Sequence, residues 1–435
     1  MTAGYSSNED KTLIPELRRQ FNERFSDSRY ATLLAVMEKR CGVRVDYRIA
    51  ETPVFLPLET LSEMAVAGID LTRTLMRNPE YLEAARRAIP AGFDVAGQTP
   101  HPNFLTADFA LVRDTSGQLA PRLVEIQAFP SVYGYQNVLS DSYREAFDLP
   151  DGLGCFLGGM DEAGYWRLLA ETVLGGHDPE NVVLTEIDPS HQKTLPDFQV
   201  TSQRLGIPIV DIRSLEPVGN KLHYRNAAGN QVPIHRIYNR AIADEIIARG
   251  VQLPFDLGHP WQVEWAGHPN WYFLISKFSI PWLCEPPASH AVVPPAVFLD
   301  KFLDGSGRHT LQSAGVDVPD HPSPETVYSE LLLKPLFSFA GKGIQFDPTQ
   351  ALLQSIPVER RGDYLLQQRM RFEHTIDTPC GMTQAEIRIL YLWPDDGVLT
   401  PALSLVRLGR GKMMGVDHNR NQEWVGASAA FFPEN

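Results

Sequence analysis

Two neighbouring runs of the sequence carry three side chains whose oxygens could bind a hard cation. The runs, 104–113 and 123–127, have the composition of strands, and the linker between them begins DTSG, which is a turn signal. Side chains alternate between the two faces of a strand, so Glu125 and Gln127 share a face, and Asp108 on the partner strand could join them. Two carboxylates and an amide oxygen are ligands that Mg²⁺ accepts. A solvated edge-strand face with two acids would give the same pattern.

A second stretch that could do chemistry, residues 331–346, reads LLLKPLFSFAGKGIQF. Its leucines predict a buried strand that ends at Lys334, and the small-residue loop that follows predicts a hairpin with a glycine-bearing tip. Glycine lacks the Cβ that would keep backbone N–H groups away from an anion, so Gly341, Lys342 and Gly343 are candidate phosphate contacts, with Lys334 as a compact positive charge beside them. The Walker A pattern is absent. An ordinary lysine before an ordinary glycine hairpin would have the same sequence.

Composition and charge exclude several classes of protein. The chain has 435 residues, enough for two or three structural units, and its formal net charge of −14 argues against a general nucleic-acid binder, which would carry a basic patch. The four cysteines form no C-x-x-C pair, so they indicate neither a zinc site nor a disulfide framework. The chain opens without a signal-peptide pattern, and no apolar run approaches the roughly 20 residues that span a bilayer. We expect a soluble cytoplasmic protein with no nucleic-acid or membrane partner.

The elements that must position these residues follow from periodicity. The first part of the chain has apolar residues at helical spacing in 12–40, 58–76 and 81–88, with an extended stretch at 44–54 between the first two. We see no chemistry in this part and expect it to be architectural.

The middle of the chain alternates strands and helices. Buried strands are predicted at 182–185, 208–212 and 234–238, and helices at 196–205 and 241–249, which indicates a β-α-β arrangement.

A polar segment, TEIDPSHQKTLPDF, follows the first of these predicted strands. It is either a βα loop that binds substrate or a loop whose Asp188 or Ser190 caps the next helix.

The last part of the chain is predicted to be rich in strands, at 364–368, 386–393 and 403–408. The tail, 409–435, has many asparagine, glycine and basic residues, and we expect it to form a loop that closes over a site.

A cluster of prolines at 286–287 and 294–295 is the best candidate for a boundary. We therefore predict an α/β (α+β) fold divided into a helical segment at 1–92, a central α/β region at 93–290 and a C-terminal region at 291–435.

Several of these pieces occur together in an order that resembles the ATP-grasp ligases of the glutathionylspermidine synthase type, the circularly permuted branch. The resemblance extends from about residue 104 to near the C-terminus. The pieces that carry it are DFALVRD and PRLVEIQAFPS, then RIYNR, HPNWYFLISKFSIPWL, KPLFSFAGKGI and YLLQQRM, and finally the arginine-bearing strands. The resemblance implies an ATP-grasp fold with a pre-ATP-grasp α/β domain. It also implies that the acidic face and the lysine hairpin meet across a nucleotide cleft.

The resemblance assigns roles to individual positions. Asp108 and Glu125 match metal-binding acids, and Gln127 stands where the family usually has asparagine, so an amide oxygen is kept. Lys277 matches the first of the two lysines that bind ATP, and Lys334 matches the second. Lys277 could instead be a half-buried lysine that extends its ammonium group to solvent.

Three further positions match the family. Gln367 and Gln368 match the hinge that meets the adenine. Ser131 matches a position near the acyl substrate.

The loop departs from the family. The typical Gly-Arg-Glu-Gly reads SFAG at 338–341, so an arginine and an acidic metal ligand are missing. Glu386 is a candidate to replace the ligand, and Arg388 or Arg407 to supply the positive charge that meets the transferring phosphoryl group. Glu386 and Arg388 could instead form a surface ion pair on one sheet face, and Arg407 could pair with any acid.

The function that the resemblance implies is ATP- and Mg²⁺-dependent amide formation from a small carboxylate and an amine. The carboxylate would attack the γ-phosphate to give an acyl phosphate, and the amine would then attack the acyl carbon. Such a reaction needs charge neutralisation more than covalent help. The altered loop keeps two alternatives open, namely a non-catalytic nucleotide-binding protein and a phosphotransferase on the same fold.

Overall fold

The computed structural model describes residues 13–114, 116–284, 291–337, 342–412, 414, 419 and 421–434. Its α-helices are α1 (Pro15–Arg24), α2 (Asp27–Cys41), α3 (Leu58–Met76), α4 (Pro79–Arg87), α5 (Tyr133–Phe147), α6 (Glu162–Leu174), α7 (Leu195–Leu205), α8 (Ala243–Ala248), α9 (Trp271–Leu274), α10 (Ser279–Cys284), α11 (Leu299–Asp304), α12 (Arg308–Ser313) and α13 (Gln350–Ser355).

The strands are β1 (Val54–Phe55), β2 (Phe104–Arg113), β3 (Leu119–Gln127), β4 (Leu153–Gly154), β5 (Val182–Glu186), β6 (Ile209–Asp211), β7 (Glu216–Val218), β8 (Lys221–Arg225), β9 (Gln231–Pro233), β10 (Arg236–Asn239), β11 (Glu264–Ala266), β12 (Ala296–Phe298), β13 (Leu331–Pro335), β14 (Gln345–Phe346), β15 (Tyr364–Gln368), β16 (His374–Ile376), β17 (Thr383–Leu392), β18 (Thr400–Gly409) and β19 (Gly426–Pro433).

These strands form three sheets and a small meander. The large sheet has the order β1-β19-β18-β17-β2-β3 and is antiparallel except for the β1–β19 pair. A parallel sheet has the order β11-β10-β5-β6, and an antiparallel sheet has the order β12-β15-β13-β14. Strands β7, β8 and β9 form the meander. The mixed α and β class predicted from the sequence is therefore confirmed.

The large sheet is covered on both faces. On one face, Ile387 and Ile389 of β17 belong to the same apolar core as Leu61 and Met64 of α3. On the other face, Leu390 packs in a second core with residues of α5. Because successive side chains of a strand point to opposite faces, β17 is apolar on both sides wherever helices cover it.

The α5-facing side of the large sheet changes character along its strands. Near Leu390 it is apolar, whereas two and four residues earlier it carries Arg388 and Glu386. The charged end lies next to the antiparallel sheet, because Lys334 of β13 is close enough to Glu386 and Glu125 for their charges to affect its ionisation. The candidate site is therefore at the junction of these two sheets.

Local patterning predicted several elements well. The predicted helix at 58–76 is α3, whose buried residues recur at helical spacing, and the predicted strands at 104–113 and 364–368 are β2 and β15. The hairpin at 331–346 is confirmed at its paired ends, where Leu332 lies opposite Phe346.

The prediction for the tail was wrong in part. Residues 426–433 form β19, a buried strand between β18 and β1, rather than a closing loop. The sequence GASAAFFP lacks the polar–apolar alternation of a half-exposed strand, because both of its faces are covered.

The large sheet takes strands from all three predicted chain segments. Strand β1 comes from 1–92, β2 and β3 come from 93–290, and β17 to β19 come from 291–435. The division of the chain into three regions stays a prediction. Because the large sheet contains strands from all three regions, it crosses both predicted boundaries. The proline pair at 286–287 lies outside the described residues.

Within the described ranges, no helix combines the length and the apolar character needed to cross a bilayer.

Candidate functional site

A row of charged residues crosses the charged end of the large sheet. Strand pairing places Glu125 of β3 opposite Asp108 of β2, and Asp108 opposite Arg388 of β17. One row along on the same face, Glu386 of β17 lies opposite Arg407 of β18. We call this group, together with Lys277 and Lys334, the charged cluster.

Asp108 is the centre of the charged cluster. Its side chain is 1% exposed, and Arg388 binds it with both prongs of the guanidinium: Nε donates to Oδ1 and Nη2 donates to Oδ2, each at 2.6 Å. Arg407 Nη2 also donates to Oδ2, at 3.4 Å. Burial alone would raise the pKa of Asp108, but the two arginines outweigh it and hold the pKa below its ordinary value. Asp108 is therefore a carboxylate kept ionised by its arginines.

The two lysines reach this face from other elements. Lys277 lies in the turn between α9 and α10, and its Nζ is 3.6 Å from Glu125 Oε2. Lys334, on β13, donates from Nζ to Gln367 Oε1 at 2.6 Å. Burial lowers the pKa of Lys334 to about 8, with Lys277 adding to the fall and Glu125 opposing it. The structure thus brings together two lysines that are 57 positions apart in the sequence.

Glu386 is the third acid of the charged cluster. It is 5% exposed and accepts a hydrogen bond from Arg407 Nη1. Burial raises the pKa of Glu386 to about 7 against the pull of Arg407, and the negative charges of Asp108 and Glu125 add to the rise. Glu386 therefore takes up a proton more readily than Asp108, whose pKa is lowered.

The charge balance of the cluster decides what it can bind. Its cations are Lys277, Lys334, Arg388 and Arg407, and its acids are Asp108, Glu125 and Glu386. Positive groups outnumber negative ones even when Glu386 is ionised. In a buried site this excess favours an anion, because charges out of water interact strongly.

Ser131 lies at the edge of the charged cluster. Its hydroxyl accepts a hydrogen bond from Arg388 Nη1 at 3.2 Å, and its carbonyl oxygen accepts one from Arg240 at 2.8 Å. Gln127 shares the face of Glu125, in the next row, opposite Thr106. The candidate site residues on β2, β3 and β17 are therefore neighbours in the structure, and their roles stay predictions.

A cavity of about 450 Å³ opens beside Lys334, between the large sheet and the antiparallel sheet. Five of its lining residues are cationic, and none of the described residues that line it is Asp or Glu. Asp347, outside the lining, pairs with Arg369 at 3.1 Å and with Lys412 at 3.9 Å, but the cations still outnumber it, so the lining favours anions although the net charge of the chain is −14. The cations are Lys334, Arg369, Arg371, Arg410 and Lys412.

The same cavity has apolar walls that suit a flat ring. Leu332 and Phe346 come from the β13–β14 hairpin, and Met370 follows β15. The guanidinium of Arg369 lies over the Phe346 ring, 5.4 Å from its centre. A cavity with apolar walls and a cationic lining matches a molecule with a planar base and several negative charges.

Gln367, predicted as a hinge residue, is fully buried. Its Oε1 accepts from Lys334, but its Nε2 has no hydrogen-bond partner among the described residues. A buried donor of this kind needs an acceptor, and a ligand bound beside Lys334 would provide one. Gln368 lies opposite Leu331 and is half-buried.

The structure describes only some of the candidate phosphate contacts in the loop between β13 and β14. Lys342 is exposed and lines a different, larger cavity. Gly343 has φ +82°, and a Cβ there would lie 2.9 Å from Pro335 Cγ, so only glycine fits the tip. Gly341 and the rest of the altered SFAG segment lie outside the described residues.

The larger cavity, of about 890 Å³, lies at the carboxyl ends of β5 and β10, where open α/β sheets bind ligands. Lys342 and Phe337 line its wall on the hairpin side. Arg240, which holds the Ser131 carbonyl, also lines it, so this cavity borders the charged cluster.

Glu186 is a buried acid in the lining of this larger cavity, 4% exposed. Burial raises its pKa to about 8, against the opposing effects of the Ile187 N–H and Arg240. The sequence analysis missed Glu186 and Arg240. The signals that could have found them are the polar βα segment that begins at residue 185 and the final arginine of RIYNR.

The magnesium prediction for Asp108, Glu125 and Gln127 stays a prediction that this geometry does not favour. Both oxygens of Asp108 are bound by Arg388, and Glu125 faces Lys277. In the part of the chain that the structure describes, no three His, Cys, Asp or Glu side chains are grouped so that they could hold a metal ion.

Comparison with known proteins adds information on the fold. No family model matches the chain, and a search of curated proteins found no match. Among solved structures, the chain is similar to a glutathione synthetase-like effector from Globodera pallida in its apo form, with a TM-score of 0.53 and 11% identity over 97% of this chain and 99% of that chain. A protein described as a gamma-glutamylcysteine synthetase from Methylobacillus flagellatus gives a TM-score of 0.37 with 12% identity, over 87% of this chain and 89% of that one. The first similarity, which spans both chains almost entirely, shows that this chain has a synthetase-like fold.

Proposed function

We propose that the protein is an ATP-dependent carbon–nitrogen ligase with an ATP-grasp fold, which joins a small carboxylate to an amine. The observation that carries the proposal is a group of four buried or half-buried cations, one of which, Lys334, lines a cavity with apolar walls and a cationic lining. The synthetase-like fold supports the same class of reaction, and the resemblance to glutathionylspermidine synthase suggests the branch.

Three features of the structure support ATP as the ligand of the cavity beside Lys334, which is the smaller of the two cavities described above. Its base would lie between the apolar residues that include Leu332 and Met370, and its phosphates would reach Lys334 and Lys277. The unpartnered Nε2 of Gln367 would gain an acceptor beside Lys334. When bound, ATP supplies the phosphoryl group that activates a carboxylate.

The residues of the chain would then act by binding, charge neutralisation and exclusion of water. Arg388 and Arg407 would stabilise the charge on the phosphoryl group in transfer, since both already lie beside Asp108. Ser131, bonded to Arg388, would place the carboxylate, and the larger cavity would hold the rest of the acid and the amine. Burial of the charged cluster would protect the activated acyl group from hydrolysis.

A second candidate function is nucleotide binding without catalysis. The observation that favours it is that Arg388 and Arg407 donate hydrogen bonds to the carboxylate oxygens of Asp108. Without these arginines the same oxygens could bind a metal ion.

The ligase proposal is tested by measuring ADP release from ATP with panels of small carboxylates and amines. We expect release to require one member of each panel, and Arg407→Gln to reduce it by about tenfold or more, because removing one charge-stabilising donor of this kind typically costs 10²–10³ in rate. Arg360→Gln is the matched control, since Arg360 is an exposed arginine whose ion pair among the described residues is with Asp363.

Two outcomes would contradict the proposal. ADP release at full rate with a carboxylate and no amine would indicate a phosphotransferase. Tight ATP binding with no ADP release for any pair would indicate the non-catalytic function.

A further inference from the structure

We propose that the charged cluster binds the phosphates of a nucleoside triphosphate without a divalent cation, and that Arg388 occupies the place against Asp108 that a metal ion would take. The inference rests on the proposed nucleotide site but goes beyond it, because it assigns to arginine and lysine the role that the resemblance gives to Mg²⁺.

Both carboxylate oxygens of Asp108 are already engaged by arginine. Each of its oxygens accepts from a different guanidinium nitrogen of Arg388 at 2.6 Å, which is the planar, two-pronged geometry of a strong charge-assisted pair. Mg²⁺ requires near-octahedral oxygens at about 2.0–2.1 Å. To chelate Asp108 it would have to displace Arg388, whose side chain is only 11% exposed and would be left without its carboxylate. Any other approach would bring it close to the charge of the guanidinium.

The remaining acids do not form a metal site either. Glu125 lies 3.6 Å from Lys277 Nζ and 3.8 Å from Arg388 Nη2, and Glu386 is bonded to Arg407. A divalent cation would enter a group whose positive charges already outnumber its negative ones. Coulomb repulsion opposes that entry most strongly where the groups are buried.

Phosphate would find donors already in place. Lys334 Nζ has three N–H donors, and Gln367 Oε1 is the one acceptor that the described residues give it within hydrogen-bond distance. Gln367 Nε2 is a buried donor without a partner among these residues. Arg388 reaches Ser131 through Nη1 while its other nitrogens hold Asp108. The site is thus preorganised for oxyanions, with Asp108 orienting the arginines.

The test is ATP binding measured by calorimetry on the full chain, in EDTA and in Mg²⁺, for wild type, Arg388→Gln and Asp108→Asn. We expect the wild-type Kd to differ by less than about threefold between the two conditions. Arg388→Gln should bind at least about tenfold more weakly in EDTA and regain affinity in Mg²⁺, because it frees Asp108 for the metal. Arg360→Gln should behave as wild type in both conditions.

The wild-type comparison between EDTA and Mg²⁺ needs no variant, so it keeps the test decisive if Arg388→Gln does not fold. Asp108→Asn removes the carboxylate that orients Arg388 and is a poor metal ligand, so the proposal predicts that ATP binding weakens by the same factor, within about threefold, in EDTA and in Mg²⁺. Loss of more than about tenfold in Mg²⁺ alone would show that Asp108 holds a metal ion.

The outcomes separate this inference from the proposed function. Wild-type binding that is more than about tenfold weaker in EDTA than in Mg²⁺ overturns the inference and leaves the nucleotide site standing. Absence of ATP binding in both conditions, at millimolar ATP, overturns the proposed function and the inference with it.

Discussion

Lys334 shows how burial sets the chemistry of a single residue. Its ammonium is 4% exposed and has Gln367 as its hydrogen-bond acceptor, so the protein carries a desolvated positive charge at the inner end of the smaller cavity. Burial lowers its pKa to about 8, and the charges that face it are Glu125, Lys277 and Glu386. A bound phosphate group would accept hydrogen bonds from this ammonium and add a negative charge beside it.

This ionisation predicts a pH dependence of ATP binding. Phosphate binds the protonated ammonium, so ATP affinity should fall as the pH rises through about 8, by roughly fifteenfold between pH 8 and 9.5, since the protonated fraction falls from about one half to about one thirtieth. Lys334→Arg should bind with a flat profile over this range, because a guanidinium stays protonated. The measurement is Kd against pH by calorimetry. A fall of the same steepness in Lys334→Arg would show that another group titrates.

At the residue scale the sequence predicted which residues carry charge but not how they pair. Asp108 and Arg388 are 280 positions apart, so no local pattern could show that one binds the other with two hydrogen bonds. The sequence analysis therefore interpreted Asp108 as a metal ligand and Arg388 as a contact for the phosphoryl group. The pairing follows only from the alignment of β2 with β17.

Among the elements, α3 and β17 show how closely the large sheet is packed. The ring of Tyr391 crosses the helix at Gly68, and its hydroxyl donates to the carbonyl of Ala65 at 3.1 Å. A Cβ on Gly68 would lie against the hydroxyl and 2.7 Å from Cζ of the ring. The helix can pass over the sheet only because glycine stands at this position.

Gly68→Ala should therefore destabilise the protein by about 1–3 kcal/mol, the usual cost of overpacking a core. The direction of the change in the free energy of unfolding is informative. The same substitution at an exposed helix position would stabilise the helix by up to about 1 kcal/mol. Urea unfolding measures the difference. Adding Tyr391→Phe should recover part of the loss by removing the hydroxyl, and Ser62→Ala, an exposed change in α3, should have little effect. A neutral or stabilising Gly68→Ala would contradict this account of the packing.

Elements with a strong local period were predicted from the sequence, and elements defined by distant partners were not. Helix α3 matches its predicted range because burial on one face leaves a helical period. Strands β2 and β15 match theirs as short apolar runs, although β2 is buried on both faces. Strand β19 was missed, since its first half is a run of small residues and its partner β1 is more than 370 positions away. The segment before it, rich in glycine and basic residues, also made the whole tail resemble a loop.

In the whole molecule, the large sheet joins residues from Val54 to Pro433, and the charged cluster lies where that sheet meets the antiparallel one. The overall charge of −14 gave no indication of the smaller cavity, whose described lining has five cations and no acid. Net charge averages over a surface, whereas a ligand responds to the potential inside one cleft. The mixed fold class was therefore predictable, while the anion site required the three-dimensional arrangement.

The most direct test of the account is a thermal-shift titration with ATP on wild type, Lys334→Ala and Lys221→Ala. Lys221 is an exposed lysine on β8 and serves as the control. A ligand that binds only the folded state stabilises it by RT ln(1 + [L]/Kd), about 2.7 kcal/mol at a hundredfold excess over Kd. We predict a rise in wild type and Lys221→Ala that Lys334→Ala loses. No rise in wild type at millimolar ATP, or an undiminished rise in Lys334→Ala, would contradict a nucleotide site at the charged cluster.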